Sequence, residues 1–173
     1  ISVARPVMRQ LKEALGMAVT LSTVNNENIC VIDIVRGSSQ IDISTRPGST
    51  FPLHATAQGK IALAFGPDSW RQGLFKIPLE KFTACTVINA DDLSKEIEMV
   101  RLQRWAIAPE EITMGINALA APILDHQNQL VGTISIITSI YELTKKPSKE
   151  QINAIKDAAL RVSVGIGHIL KES

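Results

Sequence analysis

With 173 residues, 45% hydrophobic and 20% charged, the chain is long enough for one well-filled core and falls in the size range of a single domain, here residues 1–173. Eighteen Lys and Arg against seventeen Asp and Glu leave a net charge of +1 without a clustered basic stripe, which argues against a nucleic-acid grip on this chain itself. Two cysteines without framework spacing argue against a disulfide scaffold, and apolar runs such as Ile134 to Ile137 fall far short of the roughly 20 residues of a membrane helix, so a soluble cytoplasmic protein is expected.

No basic-then-apolar leader opens the chain, and Ile1 in place of an initiating methionine reads as the start of an excised domain. Pro6 suits the first turn of a helix, and Val7, Leu11 and Leu15 recur at near-helical spacing until Gly16. The period then changes. Ala18 to Val24 reads as a strand, Asn25 to Asn28 as a hairpin turn, and Ile29 to Val35 as a second strand. After the Gly37-Ser38-Ser39 turn, Ile41 to Ser44 makes a short third strand ending at Arg46-Pro47-Gly48. A small, helix-favouring run from Ala55 to Phe65 stops at Gly66-Pro67.

Asp68 to Thr86 carries a weak local signal, read as a short helix plus loop. Asp91 or Asp92 is positioned to cap the next helix, with Leu93, Ile97, Val100 and Leu102 as its buried stripe. Strands follow at Trp105 to Ala108, Ala118 to Leu124 and Leu130 to Thr138, the last two joined by the turn Asp125 to Asn128. Ser148 to Gln151 has the pattern of a capping box, opening a helix that buries Ile152, Ile155, Ala159, Val162 and Ile166. The order is helix, three strands, helices, three strands, helix. Hairpin-length turns within each strand group favour an α/β (α+β) architecture with an antiparallel sheet covered by helices.

The titratable residues supply no catalytic set. His54, His126 and His168 lack metal-ligand spacing, and Cys30 and Cys85 lack a basic partner in the sequence. Glu110 and Glu111, if on a strand, point to opposite faces and cannot act on one substrate as an acid–base couple; on a loop the objection weakens. Gly59-Lys60 has no glycine-rich phosphate loop before it. The start of the helix after Pro52 is more promising. Free amides around Ala55, Thr56 and Ala57 form a donor-rich spot suited to a carboxylate or carbonyl oxygen, although helix–sheet packing alone would account for the same small residues. Ser135, in an apolar strand, needs a partner in either the backbone or a ligand.

Several segments, in order, resemble the effector-binding domain of the IclR family of bacterial transcription factors. They are Ala4-Arg5-Pro6; Pro52-Leu53-His54-Ala55-Thr56-Ala57-Gln58-Gly59-Lys60 with Ala62; Glu110-Glu111 with Gly115; and Ala120-Ala121-Pro122-Ile123 followed by Asp125 and the Val131 to Ile137 strand. The resemblance covers nearly the whole chain. It implies a GAF-like fold, an antiparallel sheet flanked by helices on both sides, with a small-molecule pocket whose occupancy alters DNA binding. It also implies a winged helix-turn-helix ahead of Ile1, a homodimer or homotetramer, and no cofactor, metal or catalytic residue.

Carried over residue by residue, the implied ligand-binding positions are Ile43, Leu53, Ala57, Gln58, Ala108, Ile116, Ala118, Ser135 and Ile137. Ala108-Pro109 replaces a frequent acidic pair, Ala118 a small polar residue and Ile137 a hydroxyl, leaving Ser135 and the helix amides as the expected polar handles. That pattern points to an apolar effector, an aromatic acid or lactone. A GAF-like cysteine redox enzyme and an oligomerisation module without ligand are the competing readings.

Overall fold

The structure, a computed structural model, describes residues 1–38 and 44–169. Helix α1 (Ala4–Leu15) buries Ala4, Val7, Met8 and Leu11 along one stripe. It stops at Gly16, whose left-handed φ of 73° suits a residue without Cβ and lets its N–H bond the Lys12 carbonyl. Strands β1 (Ala18–Val24), β2 (Asn28–Val35) and β3 (Thr50–Pro52) follow, then α2 (Ala57–Phe65), α3 (Asp68–Leu74) and α4 (Ala90–Gln103), then β4 (Ala106–Pro109), β5 (Ile116–Leu124), β6 (Leu130–Ser139) and α5 (Lys149–Gly165).

The six strands form one antiparallel sheet in the order β3-β2-β1-β6-β5-β4. The first and second strand groups therefore meet at the sheet centre, where β1 pairs with β6. Alternation sorts the side chains. Val19, Leu21, Leu119, Ile123, Ile134 and Ile136 face α1 and α5 in one apolar cluster. Ala106, Ala108 and Ala120 belong to the second cluster, with Leu53, Ile61, Leu93, Ile97 and Val100. Helix α5 starts on the expected capping box: Ser148 Oγ accepts from the Gln151 N–H at 3.1 Å, and Gln151 Oε1 from the Ser148 N–H at 2.9 Å. No helix of the described residues is long and apolar enough to cross a membrane.

The local expectations need four corrections. The third strand is Thr50–Pro52, paired with Asn28 to Cys30, while Ile41 to Ile43 lie outside the described residues. Asn89 caps α4, its Oδ1 accepting from the N–H groups of both Asp91 and Asp92. Leu102 is 81% exposed, because two positions beyond Val100 is about half a turn around a helix. Ile166 lies past the last turn of α5 and is likewise exposed.

Candidate functional site

The site begins with the way α2 starts. Thr56 is extended, and its hydroxyl accepts from the Gly59 N–H at 3.0 Å while donating to the Pro52 carbonyl at 2.8 Å. Ala55 thus precedes the helix. A Cβ on Gly59 would lie 2.0 Å from the Leu53 carbonyl oxygen, so only glycine lets the first turn fold back this tightly on Leu53. Every residue from Ala57 to Ala64 is buried, with small side chains against β5 and β6. His54 is structural in this arrangement: its Nε2 lies 2.8 Å from the Glu80 carbonyl, and its ring packs on Phe82 at 5.8 Å.

Beside this turn lies a cavity of about 430 Å³, within the range of small-molecule sites. Its walls come from segment 44–51, the start of α2, the loop after β4, and strands β4, β5 and β6. Five of the residues carried over from the sequence resemblance line it: Gln58, Ala108, Ile116, Ala118 and Ile137. Leu53 and Ala57 do not. They are sealed in the core against the sheet, because the tight start of α2 turns them inward. Ile43 lies outside the described residues.

Ser135 is the instructive case. It shares a face with Ile137, yet it is fully buried, 2.9 Å from Gln58 Nε2 and 2.6 Å from Thr20 Oγ1. Gln58 covers it, so the expected hydroxyl handle reaches the cavity only through the glutamine amide. Ala55 and Thr56, from the donor-rich helix start, also line it, together with Phe51, Glu111, Ile112, Thr113 and Asn117, which sequence reasoning did not place there. Glu111 had the clearest signal, as one of the two carboxylates flagged in Glu110-Glu111.

That pair divides its work. Glu110 Oε1 accepts from the Gly115 N–H at 2.8 Å and closes the loop, whereas Glu111 turns into the core. Its Oε2 lies 2.5 Å from Lys60 Nζ, with both side chains 1% exposed, and its Oε1 accepts from the Val87 N–H at 3.1 Å. Lys60 also meets Glu96 of α4 at 2.6 Å. Burial holds the Glu111 carboxyl above its ordinary value, against the opposing pull of the Lys60 ammonium and the Val87 N–H. Lys60, four residues past the helix cap, thereby ties the cavity wall to α4. Of the cysteines, Cys30 is half-buried and Cys85 exposed, and neither lines the cavity.

The family model for the bacterial transcriptional regulator IclR C-terminal domain matches residues 1–164. The chain belongs to this family. It is the effector-binding domain of IclR-family regulators, in the α+β form described above. Among relatives, it is 28% identical to the HTH-type transcriptional repressor AllR of Escherichia coli K12, over 96% of this chain and 62% of AllR. The chain spans between 55% and 65% of the length of such curated relatives. The IclR protein of Thermotoga maritima superposes with a TM-score of 0.86 at 28% identity, covering 96% of this chain and 68% of that one. An IclR homologue from Microbacterium hydrocarbonoxydans, complexed with 4-hydroxybenzoate, gives 0.86 at 16% identity over 95% and 67% of the two chains, which speaks to fold alone.

Proposed function

We propose that the cavity beside α2 is the effector site of this IclR-family domain, and that its occupancy biases operator binding by a regulator of which this chain is one part. The observation that carries the reading is a ligand-sized hollow built on the His54 to Lys60 segment, the most family-specific stretch of the sequence. Its polar groups hold the wall in place: Thr56 caps a helix, Asn117 and Glu110 shape a loop, and Glu111 pairs with Lys60. Such a wall suits reversible binding better than bond-making, and the domain acts as a sensor, not an enzyme. With Ala108, Ala118, Ile116 and Ile137 as its apolar surfaces, the cavity fits an apolar organic effector, an aromatic acid or lactone.

In the full-length regulator, DNA is held by an N-terminal winged helix-turn-helix, and the domain works as a homodimer or homotetramer in the cytoplasm. Binding shifts the regulator only by its difference in affinity for two conformations, so the signal must leave the cavity through packed elements. Gln58, Ser135 and Thr20 form such a route across β6 to β1, the strand that follows α1. Helix α1 is the lever. It packs on α5 and is pinned to β2 by Arg5 and Asp33 at 2.6 Å.

Ala118→Phe tests the reading, since Ala118 is a half-buried wall residue and the ring projects into the hollow. In the full-length protein this substitution abolishes effector response while leaving basal operator binding, as measured by fluorescence anisotropy with the operator and effector. An undiminished effector response would refute the cavity as the sensing site.

A further inference from the structure

Three buried amide or carboxylate side chains stand on the cavity wall, and two of them have every polar atom engaged. Glu111 accepts from Lys60 and Val87; Asn117 donates to the Leu143 carbonyl at 2.7 Å and accepts from the Glu110 N–H at 3.0 Å. Gln58, 3% exposed, engages its nitrogen alone among the described residues, donating to Ser135 Oγ. Its Oε1 accepts from no donor among the described residues. With the nitrogen held on Ser135, the oxygen is the amide atom left for a molecule in the cavity that Gln58 lines.

The amide is held in that orientation from behind. Ser135 Oγ accepts from Gln58 and shares a second hydrogen bond with Thr20 Oγ1, 2.6 Å away, in a region with no solvent exposure at either hydroxyl. The strands contribute Ala108, Ala118 and Ile137 to the wall, segment 44–51 and the loop after β4 add hydroxyl residues such as Thr45 and Thr113, and no Lys, Arg or His side chain lines it among the described residues. An anchored carbonyl oxygen in such a place accepts strongly from a donor and costs binding energy when it is covered without one.

We propose that Gln58 is the specificity-determining residue of this site: its Oε1 selects a small, mostly apolar molecule that presents a hydroxyl or N–H donor at its buried end. The proposal rests on the effector-pocket reading and narrows its ligand class to donor-bearing molecules. A pocket built to hydrogen-bond a hydroxyl discriminates well against an analogue of the same shape that lacks the donor.

The test is calorimetric titration of the domain with 4-hydroxybenzoate and 4-fluorobenzoate, near-isosteric probes that differ in the donor. The wild type is expected to favour the hydroxyl probe by about tenfold or more. Gln58→Leu should reduce that preference to about twofold. Gln58→Glu, which keeps an acceptor oxygen, should retain it. Ser135→Ala frees the amide and should weaken the preference with the acceptor still present, which keeps the test intact if Gln58→Leu fails to fold. Equal affinities in the wild type, or an undiminished preference in Gln58→Leu, would overturn the proposal. Binding that Ala118→Phe leaves untouched would overturn the pocket reading and this proposal with it. No binding of either probe to the wild type would overturn the hydroxylated aromatic as a representative of the proposed class, and the proposal with it.

Discussion

The two faces of the sheet are built from the same strands to opposite ends. Towards α1 and α5, strands β1, β5 and β6 present Val19, Leu21, Leu119, Ile123, Ile134 and Ile136, and the layer closes as a continuous apolar core. Towards α2 and α4, the alternate positions include Thr20, Ser22, Ala118, Ala120, Thr133 and Ser135, small or hydroxylated residues that leave room beside Ile116 and Ile137. That room is used twice, for a ligand-sized cavity and for a buried polar chain of Gln58, Ser135 and Thr20. One face contributes stability, and the other trades packing for a binding space.

The contrast is sharpest where a cavity is created on one face and filled on the other. Ile136→Ala, on the closed face, should cost about 4 kcal/mol, read as a lower urea midpoint, because the packed layer cannot collapse around the gap. Ala118→Phe, which grows into existing space, should change stability by about 1 kcal/mol or less. Similar losses for the two would erase the distinction between the faces.

Next in size is the buried ion pair. Lys60→Met removes the cation from between Glu111 and Glu96 and should lower stability by about 3 kcal/mol in the same assay, since Glu111 is left buried without its partner. A loss near zero would mean that the pair contributes little.

The smallest effect is a pH dependence. Burial raises the folded-state pKa of Glu111 above its ordinary 4.5, so the folded protein holds this proton more tightly than the unfolded chain does. The group's contribution therefore becomes less favourable as pH rises from about 4.5 through the raised value, and it levels off above it. Glu111→Gln, which cannot ionise, should gain stability relative to the wild type across that interval, as followed by denaturant titration at successive pH values. A constant difference between the two proteins would contradict the assignment.

Much of this architecture was legible because its signals are local. The capping box at Ser148 and Gln151, the glycine stop at Gly16 and the end of α2 at Gly66 each depend on residues a few places apart. The misses have equally physical causes. Strand β3 is three residues long and ends in proline, too short to show alternation. Leu102 fits a count of apolar residues but not the angle of the helix face. Leu53, Ala57 and Ser135 were assigned to the ligand by resemblance, yet their accessibility depends on what packs over them.

By itself, then, the sequence determined the order of elements, the antiparallel arrangement, the helix after Pro52 and the family, all of which follow from short-range pattern and motif. Only the tertiary structure decided that Gln58 reaches Ser135 across 77 positions, that Lys60 finds Glu111 across 51, and that Gln58 lines the cavity where a serine hydroxyl was expected. The physical reason is that exposure and hydrogen-bond partners depend on side chains that meet only when the sheet and α2 close on each other.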